Sequence, residues 1–381
     1  MKSNNTVEKL LSFEPAGFPF ISLYLNTEPN ENGQFNFNVF ARKQLSEYAD
    51  NFEAESSERE SFDRDAERIL EYLGNIKPTT KGAAIFACAG AGDFFLTREF
   101  NVPFEEDYFF VFDKPYIFPL TRLLEQNPMF AVVLADTNAA NIYTFKRGHV
   151  IDQEEIQNEK TKRVAAGGWS QQRYQRSVEN FHQQHAKDIV EELEKIVRDE
   201  HLDQIVLSGD EAVIIPLLRA EMSKELDEKV VEVLSLNINT PEHELMEAAE
   251  QAIFQNQTLI DKEKVDNLFE QNYDDGFGVT GVEKTLAALA NGQVQELYIS
   301  ADFDKIEYDA KQVYKILSAY APGEDGEVPD IRRQGKVVDE LLRRAIESAD
   351  SIRFIKDENL LSEVGGVGAL LRYKIAKGQN V

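Results

Sequence analysis

Short apolar runs of strand length alternate with long charged stretches of helical character, and this alternation limits the fold more than any single residue does. Phe20-Ile21-Ser22-Leu23-Tyr24-Leu25, Lys81 to Gly90, Phe130 to Asp136, Ala140 to Phe145, Leu202 to Gly209, Val230 to Leu236, Val294 to Ser300 and Ile352 to Ile355 read as buried or half-buried strands. Val39 to Leu73, Gln172 to Asp199, Pro241 to Glu270, Val282 to Leu289 and Lys336 to Ala349 carry helix formers with apolar residues at helical spacing. Strands alternating with helices imply an α/β class, in which each helix buries its apolar stripe on a sheet. A chain of 381 residues has room for more than one core. Its breaks suggest three domains, each a mixed sheet with helices: an N-terminal α/β domain over 1–127, a middle domain over 128–256 and a C-terminal α/β domain over 257–381. The acidic, glycine-bearing stretch Tyr273-Asp274-Asp275-Gly276 reads as a linker, and Ala321 to Pro329 as a loop.

Charge narrows the class of function. A formal net charge of −27 excludes a protein that coats nucleic acid through a broad basic face, so any such contact must be local. The single cysteine, Cys88, sits in an apolar run with no flanking histidine or base, which is the setting of a small buried hydrophobe and leaves no disulfide framework within the chain. The N-terminal residues lack an uninterrupted apolar segment of signal-peptide length, and no run approaches the ~18 apolar residues of a membrane span. These features together predict a cytoplasmic protein with no membrane contact.

Several motifs match familiar patterns by letter and fail on context. Gly276-Phe277-Gly278-Val279-Thr280-Gly281 fits G-x-G-x-x-G, but a dinucleotide site needs a strand before it, and here a helix and an acidic linker precede it. It reads as a flexible linker. His182 and His185 stand three apart with Glu179 one turn earlier, yet no third ligand at a suitable spacing completes a metal site. They read as solvent-facing helix residues. No Ser-His-Asp or G-x-S-x-G arrangement is visible, and neither a metal nor a cofactor is expected.

The stretch Val164-Ala165-Ala166-Gly167-Gly168-Trp169-Ser170-Gln171-Gln172-Arg173-Tyr174-Gln175-Arg176 differs, because several features agree there. Lys160, Lys162, Arg163, Arg173 and Arg176 form a positive island against the lone Glu159 in an otherwise acidic chain. Paired glycines let a backbone approach a partner closely. Arg173 and Arg176 fall one helical turn apart, a spacing that suits a clamp on phosphates. Trp169, the only tryptophan, could stack on an exposed base. On these features alone an ordinary surface loop, with Ser170 capping the helix, stays open as the alternative.

Gly167-Gly168-Trp169-Ser170-Gln171-Gln172-Arg173-Tyr174-Gln175-Arg176 resembles the Gly-Gly-Gln loop of archaeal and eukaryotic class-I translation release factors, which runs Gly-Gly-Gln-Ser-x-x-Arg-Phe-x-Arg. Leu202 to Gly209 resembles the next strand of that family's middle domain. Phe277 to Val294 resembles the start of the third domain in release factors and Pelota, and Gly365-Gly366-Val367-Gly368-Ala369-Leu370-Leu371-Arg372-Tyr373 resembles its end. These landmarks in order, covering roughly Phe130 to Tyr373, carry the likeness. It is nearest to the bacterial relatives of the family.

The resemblance implies a ribosome-associated rescue factor whose middle domain reaches the peptidyl-transferase centre and promotes hydrolysis of the ester joining the nascent peptide to tRNA. In that chemistry the loop positions water and stabilises the oxyanion while ribosomal RNA supplies the rest, so no acid–base dyad is required of the protein. Its implied partners are the ribosome, peptidyl-tRNA, ribosomal RNA and a translational GTPase or ATPase docking on the third domain. Trp169 stands where the family has its glutamine and cannot present a carbonyl to water. Gln171, two residues on, is therefore the expected catalytic amide, with Gln172 second, and Gly167 and Gly168 let the loop enter. Lys162, Arg163, Trp169, Arg173 and Arg176 are the expected RNA-binding set. The substitution also leaves a non-catalytic, Pelota-like ribosome or tRNA adaptor as an alternative. Asn75-Ile76-Lys77-Pro78 resembles the family's Asn-Ile-Lys-Ser motif, but stands directly before the strand at Ala83, so stop-codon reading is not expected.

Overall fold

The computed structural model describes residues 5–146, 149–157, 169–273, 276–306 and 330–374. Three sheets, each covered by helices, distribute over two compact units, one formed by 1–126 with 261–381 and the other by 127–260. The N-terminal and C-terminal segments thus share a unit, and the middle segment stands as the other.

In the first unit, strands β1 (Phe20–Asn26), β2 (Gly82–Cys88), β3 (Phe94–Phe100) and β4 (Tyr108–Phe112) form an antiparallel sheet in the order β3-β2-β1-β4. Both faces of β1 and β2 are buried, which is why they read as continuous apolar runs. Ile21, Leu23, Leu25, Ala83, Ile85 and Ala87 pack under α2 (Phe37–Ala49) and α3 (Ser57–Gly74). The stretch read as one helical region breaks between these two helices. Ser56 takes an extended backbone and accepts a hydrogen bond from the Arg59 N–H at 3.1 Å, an N-cap that restarts the helix. A short α1 (Asn5–Leu11) and strand β3 were not foreseen.

The opposite residues, Phe20, Tyr24, Ala84, Phe86 and Cys88, enter a core shared with the C-terminal segment. There, β10 (Gly278–Thr280), β11 (Val294–Ser300), β12 (Ser351–Ile355) and β13 (Val367–Leu371) form a sheet of order β10-β13-β11-β12, with β11 and β12 parallel. Helices α9 (Val282–Ala290) and α10 (Asp330–Ser348) contribute Leu286, Leu289, Val337, Leu341 and Leu342 to that core. Helix α4 (Phe118–Gln126) closes the N-terminal segment and packs against β12 and α10. Polar ties reinforce the junction. Asp339 accepts the Ile117 N–H at 2.9 Å, and Arg343 donates to both Asp339 and the Pro115 carbonyl. Buried Arg122 donates to the Ala301 carbonyl at 2.7 Å.

The Gly276–Gly281 segment is not a linker. Gly278–Thr280 pairs with β13, and Gly281, with φ of +85°, donates to the Val367 carbonyl and starts α9. The left-handed conformation explains that glycine, and the strand follows the second glycine rather than preceding the motif, so no dinucleotide loop is formed. Gly366, also left-handed, is held where a Cβ would meet Ile306 at 2.2 Å.

The second unit has one five-stranded sheet of order β7-β6-β5-β8-β9, built from β5 (Met129–Ala135), β6 (Ala139–Lys146), β7 (His149–Gln157), β8 (Gln204–Gly209) and β9 (Val230–Leu234). β5, β6 and β7 make an antiparallel meander, whereas β8 and β9 run parallel to β5. Helices α5 (Trp169–Glu200) and α6 (Ile214–Glu221) cover one face, and a five-residue α7 (Lys224–Glu228) precedes β9. The other face is covered by Leu245, Ala249 and Ile253 from the first half of α8 (Glu242–Gln271). The second half of α8 belongs to the first unit, where Val265 and Leu268 pack on Tyr298, Ile355 and Leu361. No helix among the described residues is long and apolar enough to cross a membrane.

Candidate functional site

The glycine stretch lies between β7, an edge strand, and α5. Gly167, Gly168, Lys162 and Arg163 fall outside the described residues. The helix begins at Trp169, so Ser170 is already helical rather than a cap, and Gln171 is its third residue. Trp169, Gln171, Arg173 and Arg176 therefore all stand on the backbone of the first two turns of one helix. The first N–H groups of an α-helix have no intrahelical acceptor, which makes this terminus a favourable neighbour for phosphate oxygens.

What fixes that helix is its distal part. Ala186, Ile189, Val190, Leu193, Ile196 and Val197 recur at helical spacing and are buried on the sheet. Among residues 178–200 of α5, whose side chains are described, His185 is the first that is fully buried. The sixteen residues from Trp169 to Gln184 extend about 24 Å at ~1.5 Å per residue.

His185 is not the solvent-facing residue expected from its spacing to His182. Its ring is buried, stacks on Phe181 with centroids 6.4 Å apart, and lies against the β5–β6 turn at Asp136 and Ala139. Burial is the main cause that lowers its pKa, which keeps the imidazole neutral. His182 is only half-buried, and no group of three or more metal-binding side chains exists among the described residues. The histidine locks α5 to the sheet. Its neighbours at 181, 186 and 189 are apolar, which is the sequence sign that its position faces inward.

The turn it touches is itself built tightly: Asp136 Oδ1 accepts the N–H groups of Asn138 at 2.6 Å and Ala139 at 2.8 Å. At the end of β8, a Cβ on Gly209 would come within 2.3 Å of the Ala135 carbonyl oxygen, so only glycine allows the two parallel strands to end this close. Cys88 is buried in β2, and burial pushes its thiol up to about 11, as befits an inert core residue. Asn75 follows α3, its Nδ2 donating to the Glu71 carbonyl at 2.9 Å, so the Asn-Ile-Lys segment ends a helix instead of heading one.

Comparison with known proteins agrees with these landmarks. Residues 115–253 match the model of bacterial archaeo-eukaryotic release factor family 10, and residues 258–375 match that of eRF1 domain 3. The two together take in more than half of the chain. Peptide chain release factor subunit 1 of Thermococcus kodakarensis is 25% identical over 289 residues, which covers 68% of this chain and 69% of that protein. Among solved structures, an archaeal translation termination factor, aRF1, aligns over 97% of this chain and 96% of its own at 16% identity and a TM-score of 0.27. The archaeal Pelota in a model of ribosome-bound Pelota and ABCE1 aligns over 96% and 92% at 13% identity and a TM-score of 0.40. On the two family matches and the release-factor relatives, the chain belongs to the bacterial relatives of the archaeal and eukaryotic class-I release factors.

Proposed function

We propose that this protein is a ribosome rescue factor that promotes hydrolysis of the peptidyl-tRNA ester at the peptidyl-transferase centre of stalled ribosomes. The observation that carries the reading is the start of α5 at Trp169, directly after the glycine pair. It sets Gln171 in the first helical turn, within a cationic island on a chain of net charge −27. Gly167 and Gly168 let the backbone enter a confined RNA site, Gln171 orients the attacking water, and backbone N–H groups at the helix terminus stabilise the oxyanion. Lys162, Arg163, Arg173 and Arg176 hold RNA phosphates, and Trp169 stacks on a base. The partners on this reading are the ribosome, peptidyl-tRNA and ribosomal RNA, with a translational GTPase or ATPase on the C-terminal segment, and the working compartment is the cytoplasm. The Asn-Ile-Lys segment at the end of α3 supports action without stop-codon reading. Peptide release from purified stalled ribosomal complexes, comparing wild type with Gln171→Ala, tests the proposal.

Trp169 at the family glutamine position favours a second reading, a non-catalytic Pelota-like adaptor. Co-sedimentation with ribosomes in the absence of any peptide release selects it.

A further inference from the structure

The segment that leads into α2 shares its composition with the glycine stretch. From Asn32 to Ser46 it holds no acidic residue, two cations, Arg42 and Lys43, and amides set around an aromatic ring, in a chain with 68 acidic residues. Phe35, 51% exposed, and Val39, 68% exposed, both face solvent. One exposed apolar side chain is ordinary. Here, however, Val39, Arg42, Lys43 and Ser46 are all exposed at spacings of three and four, so they share one face of α2, and Phe35 stands just before its first turn. Arg42 has no ion pair among the described residues, and Lys43 approaches only Glu47, at 4.0 Å.

The loop before the helix is fixed by its own backbone. Asn30 Oδ1 accepts the N–H groups of Asn32 and Gln34, each at 2.9 Å. The Asn30 N–H donates to the Gln34 carbonyl at 2.9 Å, and Gly33, at φ of +73°, donates to the Asn30 carbonyl at 2.8 Å. This closure leaves Asn32, Gln34 and Asn36 exposed, their carboxamides without a hydrogen-bond partner among the described residues. Buried Phe37 meets the Phe35 ring edge-on with centroids 6.1 Å apart, which sets the ring while half of it stays open.

We propose that this tip is a second RNA contact, which takes an unpaired strand with a base stacked on Phe35, the amides of Gln34 and Asn36 on base edges, and Arg42 and Lys43 on phosphates. An exposed ring beside a row of cations suits single strands of any sequence, because every base has a face to stack. A duplex keeps its bases stacked on one another and offers the ring nothing. A lipid or protein face would ask for more apolar area than two side chains among amides provide. The choice of RNA over DNA rests on the ribosomal reading above, whereas the tip itself lies outside both family matches and takes no part in peptide hydrolysis. Glu31, exposed next to Asn32, opposes phosphate, while Glu28 is paired with Lys81 at 3.1 Å.

Fluorescence anisotropy with a labelled, mixed-sequence RNA of about 12 nucleotides, within the span of a single-strand site, tests this on the full-length protein. Arg173→Ala and Arg176→Ala form the background, to silence the glycine stretch, and ultraviolet cross-linking with peptide mapping locates the contact. The RNA should bind, with cross-links in the peptide spanning 29–46. Phe35→Ala should weaken binding by at least about fivefold, the lower end of what one stacked base contributes, with circular dichroism unchanged. Glu31→Gln should strengthen it. Arg42→Gln with Lys43→Gln should lower the slope of log affinity on log salt by about 1.4. A duplex of the same sequence should not distinguish Phe35→Ala from its background. Absence of binding, cross-links confined to other peptides, or affinity unchanged in Phe35→Ala would overturn the contact, as would self-association that Phe35→Ala abolishes while RNA binding persists. None of these readouts involves peptide release, so failure of the rescue reaction and failure of this contact are told apart.

Discussion

Asp65 offers a sharp test of how the N-terminal sheet is held. It is fully buried in α3, its carboxyl accepts the Ala89 N–H at 2.7 Å through Oδ2, and Oδ1 has no hydrogen-bond partner. Burial raises its pKa from 3.8 to about 6, opposed by the Ala89 hydrogen bond and by Arg68 and Arg64. A shift of this size corresponds to about 3 kcal/mol of instability once the group is ionised. The sign follows from the raised value: the fold keeps its full stability below the unfolded pKa and loses it as pH rises to about 6. Asp65→Asn removes the charge and preserves an acceptor for Ala89, but puts an amide donor where Oδ1 is now unpaired, at a cost of about 1 kcal/mol. The variant should then be more stable than wild type by about 2 kcal/mol at pH 7 and less stable by about 1 kcal/mol near pH 3. Urea unfolding across that range at constant ionic strength measures the difference. A difference that stays constant with pH would refute the argument, because only the titration of Asp65 makes it change sign.

Three further outcomes follow from the geometry. Gly209→Ala forces a Cβ against the Ala135 carbonyl and should destabilise the middle unit by about 1–3 kcal/mol in denaturant titrations of the isolated protein. Replacing Arg343 by Met leaves Asp339 buried without its partner, and should cost about 3–5 kcal/mol, seen as a lowered midpoint in calorimetry. The double change Arg173→Ala and Arg176→Ala should weaken ribosome co-sedimentation and reduce its dependence on log salt by roughly two charges if both contact phosphate, while the fold is unchanged by circular dichroism.

What the sequence revealed depended on how local the cause was. Strands β5 and β8 are mostly apolar runs buried on both faces, β11 is so from Leu297 onward, and their extents are nearly those read from the apolar pattern. Asn291-Gly292 ends α9, with Gly292 at φ of +64°. Strand β3 escaped because its alternation is weak and nearly every residue of Phe94–Phe100 is only half-buried. Strand β10 escaped because three residues, the first a glycine, are too short a run to carry a strand signal; its pairing to β13, about ninety residues away, makes it a strand. The core shared by the first and last segments was equally illegible, since Phe20 and Tyr24 are joined to Leu341 and Leu342 only by the tertiary fold. His185 shows the same limit at the site: helical spacing to His182 was visible, but burial against the turn at Asp136 was not. The glycine pair was read from its letters alone and lies outside the described residues, whereas the start of α5 at Trp169 adds that Gln171 belongs to the helix.

Single-turnover peptide release from stalled ribosomal complexes, measured alongside binding, tests the central proposal most directly. Wild type should release peptide, and Gln171→Ala should bind equally well yet fall to the rate seen without the protein. Equal release by the two would remove Gln171 from the chemistry, and full binding without release by either would contradict a hydrolytic role.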